Sequence, residues 1–293
     1  MDPLQTAPRP AGLPDTVAFD LRPQGAAEPW RVFVYVPPGT PPASGWPLLA
    51  ITDGNAMIAT AVDAVRVQGA YPDATNVEPG VVAAIGYPTE AAYDSLRRSF
   101  DLSPPPGRTY PPFTEGGPTV RTGGADGFRR FVETDVLDAV ARLAPIDPAR
   151  RTLFGHSFGG LFALHALFSG TGAFSRFVAA SPTIYWEDGV LLDAEERFRT
   201  RSAREGTVVH LSAGEYEGDA LAPFQYGRED TEKRRAAARS VRTLDLTRAM
   251  AARLAKLPGL RVECETYPGE THMTMLPVSV SRAVRVAFEA RRP

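Results

Sequence analysis

Along the chain, segments whose hydrophobic residues have the spacing of a strand alternate with segments whose hydrophobic residues have the spacing of a helix. RVFVYVPP (31–38) alternates and stops at proline, as a strand does, and WPLLAITDGN (46–55) is a continuous apolar run that ends in a turn signal. The second pattern is typical of a central strand buried on both faces, and GVVAAIGYP (80–88) repeats it. ATAVDAVRVQGA (59–70) fits a crossover helix between them. This order predicts an α/β fold with a mostly parallel central sheet and helices on both faces.

The rest of the chain continues the alternation after one long interruption. A segment without periodicity at about 103–127 holds six prolines and six glycines, and loops of this length in compact domains are usually lids or binding loops. We therefore expect a lid or a wall of a substrate site. The helix FRRFVETDVLDAVARL (128–143) follows, with apolar residues at helical spacing. Three strand-and-loop segments and a last amphipathic helix come next: FSRFVAASPTIYW (174–186), TVVHLSAGEYEGD (207–219), RVECETYPGETH (261–272) and VSVSRAVRVAFEA (278–290).

Composition narrows the class of protein. With 293 residues, 43% of them hydrophobic, the chain can bury a large core, and we predict one domain over residues 1–293. The 32 Lys and Arg are balanced by 34 Asp and Glu, so there is no global basic field of the kind that attracts nucleic acid. No segment approaches the roughly 20 apolar residues that span a bilayer. We predict neither nucleic acid nor membrane as a partner.

The single cysteine and the N-terminal segment bear on location. Cys264 alone excludes an internal disulfide framework and an all-cysteine metal site, and it fits a reduced compartment. The segment MDPLQTAPRPAGLPD has neither the basic start nor the apolar centre of a secretory signal. These two observations lead us to expect a cytoplasmic protein, with a periplasmic one as the alternative if the sequence is a trimmed form.

One short motif carries recognisable chemistry. Gly155-His156-Ser157-Phe158-Gly159 matches G-x-S-x-G, with the apolar TLF before it and the helical LFALHALF after it. In that strand-turn-helix context, glycines leave room for a strained turn that projects one serine hydroxyl above the sheet. We predict Ser157 as a catalytic nucleophile and the amide of Phe158 as a donor to a developing oxyanion. A purely structural turn serine is the alternative.

A serine hydroxyl is a weak nucleophile and needs a base within hydrogen-bond reach. Of the four histidines, His156 lies inside the turn, His165 in the following helix and His210 within a strand, so we predict structural roles for these three. His272 is the last histidine and lies in the loop PGETHMTM, after the strand RVECETYP. In α/β-hydrolases the base occupies the loop after the last strand. We therefore predict His272 as the base.

The acid that orients the base should follow the preceding strand, TVVHLSAG. Three carboxylates, those of Glu215, Glu217 and Asp219, come directly after that strand. We prefer Glu217, which stands three residues past Gly214, and keep Glu215 as the alternative acid. A third possibility is that no carboxylate contacts the histidine and that the site works as a Ser-His dyad.

A second oxyanion donor is expected in the loop after the early central strand, where ITDGNAM lies. Gly54 allows the backbone to turn, and the amide of Asn55 is then the predicted donor. A simple turn at DGN is the alternative.

Several segments together resemble the putative-esterase branch of the α/β-hydrolases, and within it the enterochelin and salmochelin esterases that hydrolyse siderophores. The resemblance implies an α/β-hydrolase fold, the nucleophile at Ser157 and the base at His272, whereas the acid is less uniform and some members are similar to Ser-His dyads. The segments that carry it, in the same order over most of the chain, are LLAITDGNAM, VVAAIGYP, YDSLRRSFDLSPP, GGADGFRRFVETDVLDAV, IDPARRTLFGHSFGGLFALHALF, FVAASPTIYW and PGETHMTM.

The resemblance also implies a reaction: ester hydrolysis on a catecholate trilactone or its linear products, without a metal or other cofactor in the chemistry. Such small-molecule substrates are anionic when iron-loaded, so arginines near the long loop are expected to form a basic patch unless they serve in structural ion pairs. The expected substrate contacts are Arg98, Arg129, Arg130, Tyr185 and Trp186, with Arg97, Arg108 and Arg121 close by.

Three functions fit this reading to different degrees. The leading one is a serine esterase acting on siderophore lactones. A general carboxylesterase or an acyltransferase of the same branch would use the same acyl-enzyme, and the fold alone does not choose among them. A binding module that has lost catalysis is disfavoured, because both Ser157 and His272 stand in their expected positions.

Overall fold

A computed structural model describes residues 12–200 and 205–290. Within those ranges, eight strands form one sheet and two short strands form a separate hairpin. The strands are β1 (Thr16–Leu21), β2 (Trp30–Tyr35), β3 (Trp46–Ile51), β4 (Val81–Gly86), β5 (Thr109–Tyr110), β6 (Val120–Arg121), β7 (Ile146–His156), β8 (Arg176–Ala180), β9 (Thr207–Gly214) and β10 (Leu260–Tyr267).

Helices connect most of these strands. The helices are α1 (Gly54–Gly69), α2 (Pro72–Thr75), α3 (Ser95–Asp101), α4 (Ala125–Phe131), α5 (Leu137–Leu143), α6 (Phe158–Ser169), α7 (Trp186–Arg199), α8 (Thr231–Val241), α9 (Thr243–Leu254) and α10 (Leu276–Phe288). A π-helical turn (Val132–Val136) joins α4 to α5, and short 3-10 turns lie at Glu215–Glu217 and Pro223–Gln225.

The large sheet has the strand order β1-β2-β4-β3-β7-β8-β9-β10. The pairs from β4 to β10 are parallel, whereas β1 pairs antiparallel with β2, and β2 antiparallel with β4. The expectation of a mostly parallel sheet is confirmed, with an antiparallel edge that the N-terminal strands add. The central strands β3 and β4 are buried at every position, which explains their continuous apolar sequences.

Each face of the sheet carries its own apolar layer. On one face, α1 and α10 pack over the sheet through residues such as Met57, Val62 and Phe288. On the other face, the layer includes Phe128, Phe131 and Phe162 from the segments around α4 and α6, together with Met250 and Leu254 of α9. Helices on both faces therefore seal a sheet that no single layer could bury.

The segment at 103–127 has more structure than its composition suggests. It contains the β5–β6 hairpin, with Thr109 opposite Arg121 and Tyr110 opposite Val120, and it ends in the first turn of α4. The prediction of one domain over residues 1–293 stays a prediction. Most of the N-terminal segment on which the expected location rests lies outside the described residues.

Parallel strands end at a common edge of the sheet, and the residues that follow them are brought together there. The relevant loops are residues 52–55 after β3, Ser157 after β7, residues 181–185 after β8, residues 215–217 after β9 and residues 268–275 after β10.

Candidate active site

Ser157 occupies a strained turn between β7 and α6. Its backbone has φ 59° and ψ −118°, outside the regions that a serine ordinarily adopts. A Cβ on Gly155 would lie 2.1 Å from the carbonyl oxygen of Gly159, and a Cβ on Gly159 would lie 2.3 Å from the Thr52 hydroxyl. Gly155 is therefore required for β7 and α6 to approach closely enough to form the turn, and Gly159 leaves room for the Thr52 side chain after β3.

His272 is hydrogen-bonded to one of the candidate acids. Its Nδ1 lies 2.6 Å from Oε2 of Glu217, whose side chain is only 4% exposed. A carboxylate only accepts at the ordinary pH of an enzyme, so Nδ1 carries the proton and Nε2 holds the free lone pair. An imidazole in this state is ready to accept a proton at Nε2.

The Glu217 carboxylate is held on its other oxygen as well. Oε1 accepts from the Gly214 amide at 2.8 Å and from the Ser181 hydroxyl. Burial by itself would raise the pKa of Glu217, but the hydrogen bonds from His272, Ser181 and Gly214 outweigh burial and hold the pKa below its usual value. Glu217 is thus an ionised carboxylate in a fixed orientation.

Glu215 has a different partner. Its Oε2 accepts from the amide of Gly269 at 2.7 Å, at the start of the loop that carries His272. Glu215 itself is exposed. The amide of Tyr216 donates to the Glu270 carbonyl at 3.0 Å in the same loop. Of the two alternatives raised by the sequence, Glu217 contacts the histidine and Glu215 fastens the backbone of its loop.

The histidine loop lies against the serine turn. His156, directly before Ser157, has its ring centroid 4.7 Å from that of His272 and its Nε2 2.8 Å from the His272 carbonyl oxygen. The Ser157 Oγ lies 3.5 Å from Oγ1 of Thr183, and among the described residues no direct hydrogen bond joins it to His272. Such bonds are often long in free enzymes and tighten when a substrate binds.

The two predicted oxyanion donors each lie at the start of a helix. Phe158 begins α6, and Asn55 lies in the first turn of α1, where backbone amides lack partners within the helix. The Asn55 side chain donates to the carbonyls of Tyr87 (3.0 Å) and Thr89 (2.9 Å) and accepts from the Tyr87 amide (2.9 Å). These bonds lock the start of α1 to the end of β4.

Arg98 lies beside the turn, but its charge is already paired. It forms two hydrogen bonds of 2.8 Å with the carboxylate of Asp53, which is 1% exposed, and its guanidinium lies 5.7 Å from the centre of the Phe158 ring. A bidentate pair of this kind has strong geometric preference. Arg98 therefore joins the β3 loop to the serine turn, and Asp53 neutralises the charge expected to receive an anionic substrate.

Arg129 is engaged at the end of α6 that lies away from Ser157. Arg129 is paired with Glu133 at 2.7 Å, and the same carboxylate accepts from the hydroxyl of Thr171 at 2.7 Å. Thr171 follows the C-terminus of α6, whereas Ser157 precedes its N-terminus, and a helix of 12 residues is about 18 Å long. The substrate contact expected of Arg129 is therefore corrected, whereas that of Arg130, its exposed neighbour on α4, stays a prediction.

Tyr185 and Trp186 lie close to the serine turn, and their contact with substrate stays a prediction. The Trp186 ring packs edge-on against Phe158 with centroids 4.7 Å apart and also lies 5.6 Å from the ring of Tyr110. Tyr185 is 40% exposed, and burial, followed by the nearby charge of Glu217, raises the pKa of its hydroxyl. Both aromatic side chains are thus placed next to the serine turn and the acid.

A buried carboxylate ties the β5–β6 hairpin to this aromatic pair. Glu187, with a side chain 2% exposed, accepts from the Tyr110 hydroxyl and lies 2.8 Å from Nε of Arg108. Its φ of 47° is the first of three consecutive left-handed values that continue through Gly189. No local periodicity marks Glu187, Tyr110 or Asp53 in the sequence, because their roles depend on partners distant in the chain.

The two remaining histidines have partners of their own. Nε2 of His165 lies 2.9 Å from Asp126, and that of the fully buried His210 lies 3.4 Å from Glu265. Across residues 12–200 and 205–290, no group of three or more His, Cys, Asp and Glu has a geometry that could hold a metal ion. No helix in the same part of the chain is long and apolar enough to cross a membrane.

The fold and the arrangement of strand ends define an α/β-hydrolase with a serine turn after a central strand and a histidine loop after the last strand. The family model described as "Putative esterase" matches residues 25–274. The chain belongs to this esterase family, as its sequence segments predicted.

Individual relatives cover nearly the whole chain. The ferri-bacillibactin esterase BesA of Bacillus subtilis is 32% identical over 285 residues, which span 96% of this chain and 92% of that protein. The siderophore triacetylfusarinine C esterase of Aspergillus fumigatus is 34% identical over 295 aligned positions, covering 96% of each. Among solved structures, the BES protein from Bacillus cereus superposes with a TM-score of 0.81 at 27% identity, covering 98% of this chain and 100% of that one.

Proposed function

We propose that this protein is a serine esterase in which Ser157 is the nucleophile, His272 the base and Glu217 the acid that orients it. The observation that carries the proposal is the 2.6 Å bond from His272 Nδ1 to the buried Glu217, in a loop packed against the serine turn. That bond leaves Nε2 of His272 as the atom that accepts a proton. Membership of an esterase family supports the same reaction class.

In the proposed mechanism, Ser157 Oγ attacks the ester carbonyl carbon while its proton moves to His272 Nε2. The carbonyl oxygen becomes an oxyanion that accepts from the amides of Phe158 and Asn55. When the tetrahedral intermediate collapses, the C–O bond to the alcohol breaks and the alcohol takes the proton from His272. Water then attacks the acyl-enzyme carbonyl carbon while His272 Nε2 takes its proton. When the second tetrahedral intermediate collapses, the bond to Ser157 Oγ breaks, Oγ takes that proton back, and the carboxylic acid is released.

We propose siderophore esters as the substrate class. The support is that two relatives covering nearly the whole chain are named as esterases of ferri-bacillibactin and of triacetylfusarinine C. The finer assignment, a catecholate trilactone received in its iron-loaded form, would place flat aromatic groups near the exposed Tyr185 and the edge of Trp186. Arg98 is paired to the buried Asp53, whereas Arg108, although paired to Glu187, keeps a side chain that is 56% exposed.

The rival functions are a general carboxylesterase and an acyltransferase of the same family, which share the acyl-enzyme. A hydrolysis panel separates them: p-nitrophenyl esters, enterobactin with and without iron, triacetylfusarinine C, and acyl thioesters with and without an alcohol acceptor. We expect kcat/KM to be highest on a siderophore ester. A preference for short p-nitrophenyl esters would favour the carboxylesterase, and transfer to the acceptor in place of water would favour the acyltransferase.

The catalytic assignment is tested by replacing the nucleophile and the base. Ser157→Ala, His272→Ala and the double variant should each lose nearly all activity to a similar level, because residues that act as one unit have non-additive effects. A fluorophosphonate should label wild-type enzyme at Ser157, read by mass spectrometry, and Ser169→Ala should behave as wild type. A double variant slower than either single by a further factor of roughly 10³ would contradict the shared role.

A further inference from the structure

His156 is a buried imidazole that the proposed mechanism does not use. It is the last residue of β7, its exposure is 2%, and it precedes the serine directly. Its only hydrogen-bond partner among the described residues is the backbone carbonyl oxygen of His272, 2.8 Å from Nε2. The two rings pack together with centroids 4.7 Å apart.

The protonation state of His156 follows from this environment. A carbonyl oxygen can only accept, so the hydrogen lies on Nε2. Burial, and next the neighbouring His272, lowers the pKa of His156 to about 3, while Glu217 opposes that effect and Arg98 adds to it. The His156 ring therefore stays neutral beside His272. Two adjacent histidines thus hold opposite tautomers, each set by an oxygen acceptor.

The loop that carries His272 is fastened on both sides of that residue. Its start is held by Glu215 and Tyr216, through the Gly269 amide and the Glu270 carbonyl, and its end by Met275, which lies against Ser181, while Glu217 holds the 39% exposed His272 side chain. Between those two points, the bond from His156 is the contact that joins the His272 backbone to the strand bearing the nucleophile.

We propose that His156 is a positioning residue, which fixes the base relative to the nucleophile through its Nε2–H bond to the His272 carbonyl and its ring contact with the His272 imidazole. The inference rests on the proposed role of His272. Because His156 directly precedes Ser157 in the chain, its side chain alone connects the backbone of the nucleophile to the backbone of His272. It thereby restrains the distance between Ser157 Oγ and the His272 imidazole. Misplacement of a catalytic group by about 1 Å costs on the order of 10²-fold in rate.

Three variants separate the hydrogen bond from the ring. His156→Gln keeps an N–H donor the same number of bonds from Cα as Nε2, His156→Asn places its donor one bond short, and His156→Phe keeps the ring without a donor. We expect Phe and Asn to lower kcat on p-nitrophenyl acetate by about 10- to 100-fold with little change in KM, and Gln to recover most of the loss. The rate of Ser157 labelling by a fluorophosphonate should follow the same order, with folding checked by circular dichroism.

Equal kcat for wild type and His156→Phe, or equal losses for Gln and Asn in folded proteins, would overturn the inference. If the Phe variant does not fold, the Gln and Asn pair alone decides. Failure of the proposed function is recognised separately, because Ser157→Ala and His272→Ala would then retain hydrolysis. If those two lose activity while His156→Phe keeps it, only the positioning role is wrong.

Discussion

At the residue scale, Glu215 and Glu217 stand on one turn after β9 and contact different parts of the same loop. Glu217 receives Nδ1–H of His272 at 2.6 Å, and Glu215 receives the Gly269 amide at 2.7 Å. Both carboxylates restrain the loop, but only that of Glu217 contacts the imidazole that would become positively charged during attack. A negative charge at that position stabilises the imidazolium and keeps the ring in one tautomer.

We expect Glu217→Gln to lower kcat by about 10²- to 10⁴-fold, because an amide supplies no charge and allows the wrong tautomer. Glu215→Gln, the matched control on the same turn, retains an oxygen for the Gly269 amide and should lose far less. The measurement is kcat on a p-nitrophenyl ester for both variants at equal folded fraction. If both keep wild-type kcat, the site works as a dyad, and the acid role of Glu217 is wrong.

At the scale of elements, the β5–β6 hairpin is the part of the long loop that reaches the site. Tyr110 and Arg108 meet the buried carboxylate of Glu187, and Trp186 links the hairpin to the residue after the nucleophile. The Arg108 side chain remains 56% exposed while its Nε is engaged. The hairpin therefore presents an aromatic surface beside a half-exposed guanidinium, which is paired with Glu187 on one side and open to an anionic ligand on its solvent side.

We expect Arg108→Ala to raise KM for ferric enterobactin by about 5-fold at low salt, the effect of roughly 1 kcal/mol from an exposed charge, with the difference shrinking at high salt. Turnover of p-nitrophenyl acetate should change little, because the charge aids binding and encounter more than bond breaking. Arg142→Ala, which removes an exposed arginine on α5, is the control. Equal KM shifts for the two substrates, or no salt dependence, would assign Arg108 a purely structural role.

At the scale of the whole molecule, one buried carboxyl joins three separate parts of the fold. Asp101, at the end of α3, accepts from Nε1 of Trp30 at 2.7 Å and from the hydroxyl of Tyr87 at 3.2 Å. Burial, only partly offset by these hydrogen bonds and by Arg97, raises its pKa from 3.8 to about 6. The folded state therefore favours the neutral acid, so this group stabilises the fold most at low pH and loses that contribution as the pH rises through about 6.

Replacing the ionisable group tests this dependence. Asp101→Asn keeps an acceptor oxygen and cannot ionise, so relative to wild type it should gain about 2 kcal/mol of unfolding free energy between pH 4.5 and pH 7.5. Urea unfolding of both proteins at the two pH values measures the difference. A gap between variant and wild type that is the same at both pH values would contradict the raised pKa.

Much of this protein follows from local sequence patterns. The apolar runs that became β3 and β4 are long enough, and apolar enough, to demand burial on both faces, and that requirement predicts a parallel sheet between helices. Ser157 is marked by the glycines that its turn needs, and His272 by its place after the last strand. In each case the signal lies within a few residues, because steric limits and burial act locally.

What the tertiary structure decided depends on groups far apart in the chain. The sequence alone does not distinguish Glu217 from Glu215. The loop after β10 packs on the turn after β9, and this packing places His272 in contact with Glu217 and the Gly269 amide in contact with Glu215. Nothing in the sequence distinguishes Arg98 from the neighbouring arginines, and its role follows from its ion pair with Asp53. The local sequence pattern determines which segments are buried. The partner of a buried charged group depends on the tertiary structure, which brings two side chains distant in sequence within hydrogen-bond distance, and no local periodicity predicts that contact.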